Sequence, residues 1–184
     1  YQFNDMAGMS LFWMRAENDN TTIDRGVGNA MDFVGLSVPL TGEGWQLNPW
    51  GMYGNLGKNS LNEVGENGES LIVGLLPYGQ DGVSVVAKDS NNPAWWLGIG
   101  ELTTFDPLRL AFDFAYGKAD WGKAANGQDL TRQGWLLSGI AEYKLDYVTP
   151  GLIAWYGSGD NSDTMDGSER LPTLSPGWGA TTLG

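Results

Sequence analysis

The side chains able to do chemistry in this sequence are few and mostly acidic. Its 184 residues include 22 Asp or Glu and 10 Lys or Arg, but no His and no Cys. That removes the imidazole base or metal ligand, the thiolate nucleophile and the disulfide framework. Two groups of charged residues stand out. Arg109 and Asp113 lie four apart, as do Glu142 and Asp146, with Lys144 between that pair. Farther on, Asp160, Asp163 and Asp166 recur at intervals of three, followed by Glu169. Asp113 and Glu142 are the residue types that glycoside hydrolysis needs, but nothing in the sequence fixes their separation. Asp160, Asp163 and Asp166 could offer oxygens to calcium, which takes about six to eight. The run DNSDTMDG at 160–167 departs from the regular Asp-x-Asp-x-Asp-Gly spacing, so a solvated acidic loop is expected and no cofactor is required. No Gly-x-Ser-x-Gly elbow, Walker loop or dinucleotide fingerprint occurs, and an enzyme is not expected. A net charge of −12 opposes binding to nucleic acid.

The elements that position these groups are strands. With 41% hydrophobic residues, 12% aromatics including nine Trp, and 28 Gly, the chain has the apolar surface to pack rather than stay disordered. No run of about 18 apolar residues occurs, so no membrane-spanning helix is expected. Between 108 and 116, Leu108, Leu110, Phe112, Phe114 and Tyr116 alternate with Arg109, Ala111, Asp113 and Ala115. Between 135 and 146, Trp135, Leu137, Gly139, Ala141, Tyr143 and Leu145 alternate with Ser138, Glu142, Lys144 and Asp146, leaving Leu136 and Ile140 as exceptions. Period two sends the two sets to opposite faces of a strand, whereas a helix would scatter the apolar set around its circumference. Five more segments read as strands: 6–16, 30–40, 45–54, 94–103 and 152–157.

Strand length and loop parity then suggest a membrane. Strands of about ten residues match a tilted bilayer crossing, while soluble strands run nearer five or six. Short connections at 41–44, 104–107 and 147–151 alternate with long ones near 17–29, 55–93, 118–133 and 158–176. Up-and-down strands through a slab put short turns on one side and long loops on the other. Trp13, Trp45, Tyr53, Trp95, Tyr116, Trp135, Tyr143 and Tyr156 fall near expected strand ends, where amphipathic rings suit the headgroup depth. The expected fold is therefore all-β: one domain over 1–184 that forms part of an antiparallel transmembrane β-barrel. An odd count of seven strands cannot close a barrel, so the chain reads as an internal piece of a pore of about 16–18 strands, wide enough for an aqueous channel. Lipid on the apolar faces would leave Arg109, Asp113, Glu142, Lys144 and Asp146 as pore-lining candidates, with Ser10, Ser37, Gln46, Asn48 and Ser138 as neutral lining. Those charges either form a filter or are solvated away from any constriction. Within the longest connection, 71–76 and 83–87 are either a hairpin or, as the shortness of each run favours, a loop folded inward or over a neighbouring subunit.

Three phrases carry a family likeness: LRLAFDFAYG at 108–117, GWLLSGIAEYK at 134–144 and TPGLIAWYGSGD at 149–160. Together with DGSERLPTLSP at 166–176, they resemble the outer-membrane homotrimeric porins of sulfate-reducing bacteria. The resemblance covers most of the chain but is one of texture rather than of a signature motif. It implies a passive diffusion channel for ions and small hydrophilic solutes in the outer membrane of a Gram-negative bacterium. Lipid, lipopolysaccharide and two further copies of the chain would be its partners. A substrate-specific outer-membrane channel and a soluble carbohydrate-binding β-sheet protein are the alternatives.

Overall fold

The computed structural model describes residues 1–18, 30–57, 74–76, 91–124, 126–163 and 165–174. Every regular element among them is a strand. In chain order they are β1 (Gln2–Asn4), β2 (Ala7–Gly8), β3 (Ser10–Asn18), β4 (Ala30–Ser37), β5 (Leu40–Gly42), β6 (Trp45–Gly57), β7 (Asn91–Phe105), β8 (Leu108–Lys123), β9 (Asp129–Tyr143) and β10 (Gly151–Gly157). They form one antiparallel sheet of ten strands. β2 and β3 are two stretches of one run, as are β4 and β5. The second break falls at Pro39, which has no N–H to give to a ladder. Counted that way, the strands lie side by side in sequence order from β1 to β10. Among the described residues the sheet is not closed, because β10 pairs only with β9 and the β1–β3 side has no link to it.

All seven expected strands are present, but several are longer. β6 runs to Gly57 and β7 begins at Asn91. The segment 118–133, expected as a long loop, is mostly strand. β8 continues to Lys123 and β9 begins at Asp129, with a turn closed by Ala124 N–H on the Gln128 carbonyl at 2.8 Å. The alternation there changes sense, pairing outward Lys118 and Asp120 with buried Ala119 and Trp121, so it no longer looks like the pattern below it. β9 stops at Tyr143, three residues short of the expected end. Tyr143 N–H bonds the Pro150 carbonyl and Leu145 N–H the Val148 carbonyl, at 3.0 and 2.9 Å, which turns the chain. Lys144 and Asp146 therefore lie in the β9–β10 connection rather than on the strand.

Turn chemistry fixes the register at the short-connection end. Gly42 opposes Trp45, so Glu43 and Gly44 form a two-residue turn, and Gly44 takes a φ of +76° at its second central position, which favours glycine as in a type II turn. Pairing then runs unbroken from Trp45↔Thr103 to Gly57↔Asn91 and from Ala94↔Ala119 to Phe105↔Leu108.

The two faces of the sheet differ. One carries Met31, Phe33, Leu56, Ala94, Trp96, Ala119, Trp121 and Leu130, all buried, with Leu75 laid over them from the 74–76 segment. We term this the covered face. The opposite, open face presents Leu11, Trp13, Val34, Leu36, Leu97, Phe112, Phe114 and Leu137, with Trp13 65% and Leu97 58% exposed. Aromatic rings on the covered face lie across glycines of the next strand, Trp50 over Gly98 and Trp96 over Gly117. Any Cβ at either glycine would collide with the indole. Gly98→Val and Gly117→Val should each lower the unfolding free energy by about 1–3 kcal/mol through overpacking. Gly139→Ala, whose Cβ would meet only the Ala111 carbonyl oxygen at 3.6 Å, should be near neutral. Denaturant unfolding of the three variants checks this, and equal losses would refute it.

Candidate functional site

The covered face divides along the strands into two zones. Toward the short turns it is mixed, with polar and small residues set among Trp50, Leu102, Ile140 and Trp155. Register sets Asn48, Gly100, Asp113, Ser138 and Trp155 in one row across β6 to β10. Two rows nearer the turns, Thr104, Arg109, Glu142 and Gly151 form another. Arg109 donates from a guanidinium nitrogen to Glu142 Oε2 at 2.5 Å, with both side chains substantially exposed. Ser10, Ser37, Gln46 and Asn48 share this face by strand parity. The strands thus bring together Arg109, Asp113 and Glu142, which the alternation singled out, while Lys144 and Asp146 sit exposed in the connection beyond β9. Asp113 and Glu142 stand four residues out of register on adjacent strands, about 13 Å along the sheet. That exceeds the roughly 5–9.5 Å of glycosidase carboxylate pairs.

Toward the long connections the same face is filled. Leu75, Leu76, Leu171 and Leu174 pack on the buried cluster, and Pro172 is fully buried. The indole N–H of Trp121 donates to the Leu75 carbonyl at 3.0 Å, and that of Trp96 to the Pro172 carbonyl at 2.8 Å. Segment 74–76 is therefore an inward-folded loop rather than a strand. The remainder of 71–76 and the 83–87 run lie outside the described residues.

On the open face the chemistry is reversed. Trp13, Tyr53, Trp95, Tyr116, Trp135 and Tyr156 follow one line across the sheet, with ring centroids 5.4 Å apart for Trp95 and Tyr116 and 5.6 Å for Trp135 and Tyr156. Tyr53, Trp95, Tyr116 and Trp135 are not at strand ends, because the strands continue past them; they mark the end of the apolar stretch instead. Beyond the line the same face turns polar. Arg15 pairs with Asp32 at 2.8 Å, Asn55 with Asn91 at 3.1 Å, Lys118 with Asp120 at 3.1 Å and Lys123 with Asp129 at 2.7 Å. Gln133 donates to the Tyr116 hydroxyl at 2.5 Å. Short of the line lie only apolar or small residues on β8 and β9, down to Leu108 and Tyr143. Leu108 to Tyr116 spans about 27 Å of strand.

The chain matches no family model, no curated protein and no solved structure.

The acidic segment after β10 spends its oxygens on itself. Asp160 accepts from Ser168 Oγ at 2.7 Å and from Glu169 N–H at 3.1 Å, and pairs with Arg170 at 2.9 Å. Asp163 Oδ1 accepts from Met165 N–H at 2.9 Å, and Asn161 bridges Asp166 and Glu169 through its amide. Among the described residues no group of three carboxylates converges on a point where a cation could sit. Arg132, Trp121 and the 168–173 strap escaped the sequence reading. Arg132 bonds carbonyls 39 and 56 residues away, and contacts to backbone oxygens leave no mark in the sequence. Calcium should leave the melting temperature of the full chain unchanged. A rise in melting temperature that Asp160→Asn removes would overturn this geometry-based expectation.

Proposed function

We propose that the chain is part of a porin-like β-barrel of the bacterial outer membrane, conducting ions and small hydrophilic solutes through a water-filled lumen. The observation that carries this reading is the bounded apolar zone of the open face. It ends at a line of Trp and Tyr, beyond which ion pairs and amides take over on the same strands. Outer-membrane barrels have an apolar band about 25 Å tall flanked by aromatic girdles. The 27 Å of strand from Leu108 to Tyr116, shortened by a tilt of about 40°, is of that order. An apolar surface as wide as the one that bares Leu11, Trp13 and Leu97 marks a face that meets another apolar phase or partner, and the aromatic border favours lipid.

In this reading the open face meets lipid and the covered face lines the channel. Charges are tolerated on the covered face because water solvates them, and the loop-side packing narrows that end. The open sheet is completed by further strands, since an unpaired edge in hydrocarbon costs several kcal/mol per backbone group. Passage is passive, with no covalent step and no cofactor. The sequence likeness to trimeric porins supports a homotrimer with lipid and lipopolysaccharide at its surface. Arg109 faces the aqueous path beside Glu142, so it biases which ions enter.

The chain should stay monodisperse only with detergent, and the complete barrel that contains it should form ohmic channels in planar bilayers. A soluble sugar-binding sheet would remain monodisperse in buffer alone, and a substrate-specific channel would show saturable block by one solute. Phe114→Arg, which puts a cation on the open face, should weaken membrane folding by about 2–4 kcal/mol, measured by urea titration in lipid vesicles. An undiminished folding free energy would sink the lipid-facing assignment. Arg109→Ala should shift the reversal potential in a salt gradient toward cation preference by unmasking Glu142. No shift would remove Arg109 from the ion path.

A further inference from the structure

We propose that Arg132 is the positioning residue that holds two remote chain segments against the sheet and so keeps the loop-side half of the covered face shut. Its Nε donates to the Leu171 carbonyl at 3.1 Å and a terminal guanidinium nitrogen donates to the Leu76 carbonyl at 3.2 Å. One planar fork thereby joins β9 to the 74–76 segment and to the strap that follows β10. A point-like ammonium lacks the geometry for both bonds at once. The two indoles divide the task instead: Trp121 reaches only the first segment and Trp96 only the second. Thr173 N–H on the Gly74 carbonyl, at 2.8 Å, ties the segments to each other.

The strap lies directly on the strand at this point. Ser168 N–H bonds the Thr131 carbonyl and Gln133 N–H bonds the Ser168 carbonyl, each at 2.8 Å, forming a parallel bridge centred on Arg132. Gly134 is what permits the approach, because any Cβ there would strike the backbone of Glu169 and Arg170. Beneath the clasp lie Ala119, which opposes Arg132 across the β8–β9 ladder, and Leu130, both fully buried. Loss of the fork strands two partly buried carbonyls and leaves 74–76 joined to the sheet by the Trp121 indole and to the strap by Thr173 N–H, while the strap keeps the Trp96 indole and its backbone bridge to β9.

Because the chain has no Cys, a single reporter thiol reads this closure without any channel measurement. Ala119→Cys on the covered face and Asp120→Cys on the open face would be labelled with a water-soluble maleimide in the full chain. With Arg132 intact, Cys at 119 should label slowly and Cys at 120 quickly. Adding Arg132→Met should speed labelling at 119 by about tenfold and leave 120 unchanged. Arg132→Lys, which retains the charge and one bond, should give an intermediate rate and serves if the Met variant does not fold. An unchanged rate at 119 in both variants overturns the proposal, as does equal acceleration at 119 and 120. The effect on conductance rests on the porin reading: Arg132→Met should raise it about twofold. Absence of channels from the complete barrel without the substitution would sink that reading, while the labelling result would still decide the role of Arg132.

Discussion

Alternate side chains of a strand must face two different surroundings, and in this sheet the difference between those surroundings reverses partway along. Short of the aromatic line, the open face of β8 and β9 is apolar or small while Arg109, Asp113, Ser138 and Glu142 lie on the covered face among Leu136 and Ile140; on β7 the open face also carries Glu101. Beyond it, ion pairs occupy the open face and a packed cluster occupies the covered one. Tyr116 and Trp135 mark the crossing on β8 and β9. Below them lie Phe114 and Leu137 outside, with Ala115 and Ser138 inside. Above them come Lys118 and Gln133 outside, with Ala119 and Arg132 inside. A single medium on each side cannot account for both halves of the same strand. An apolar slab around the first half and water around the second accounts for both, as does a polar space inside the first half and folded chain inside the second.

The reversal also determines where packing can be dense. Trp96, Trp121, Phe33 and Met31 need cover from another layer, and among the described residues the loop-side half has one, supplied by Leu75, Leu171 and Pro172. Toward the short turns, glycine and alanine at 98, 100, 111, 115 and 117 keep the covered face low, so that Trp50 and Asp113 stand over their neighbours rather than against a second layer. The ion pair of Arg109 with Glu142 belongs to that low, wet zone. It contributes little to stability because Arg109 is half exposed and Glu142 a third exposed.

Most of the architecture was legible in the sequence because one physical rule, period two, reports directly on strands whose faces differ. The seven runs and their short turns follow from it, as does the common face of Arg109, Asp113 and Glu142. Where both faces change character together, the rule misleads. That is why 118–133 read as a loop although Lys118, Asp120 and Thr131 alternate with Ala119, Trp121 and Leu130. Tyr143 to Pro150 shows another limit, since Leu145 continues the alternation while backbone bonds already turn the chain. The strap on β9 was invisible for a third reason. Its anchors are indole and guanidinium donors aimed at backbone carbonyls, and any residue supplies a carbonyl.

The bonds from Trp121 to Leu75 and from Trp96 to Pro172 join residues 46 and 76 positions apart, whereas β7, β8 and β9 meet through tight hairpins. Contacts local in sequence form early, because little loop entropy opposes them. The hairpins can zip as soon as each is made, but the strap comes after β10 and docks only when the chain beyond residue 165 has emerged. Until then the tryptophans of the loop-side half stay bare, and the nascent sheet exposes grease on both of its sides. The cover of those tryptophans is therefore non-local, and it forms only once the strap has docked on β9.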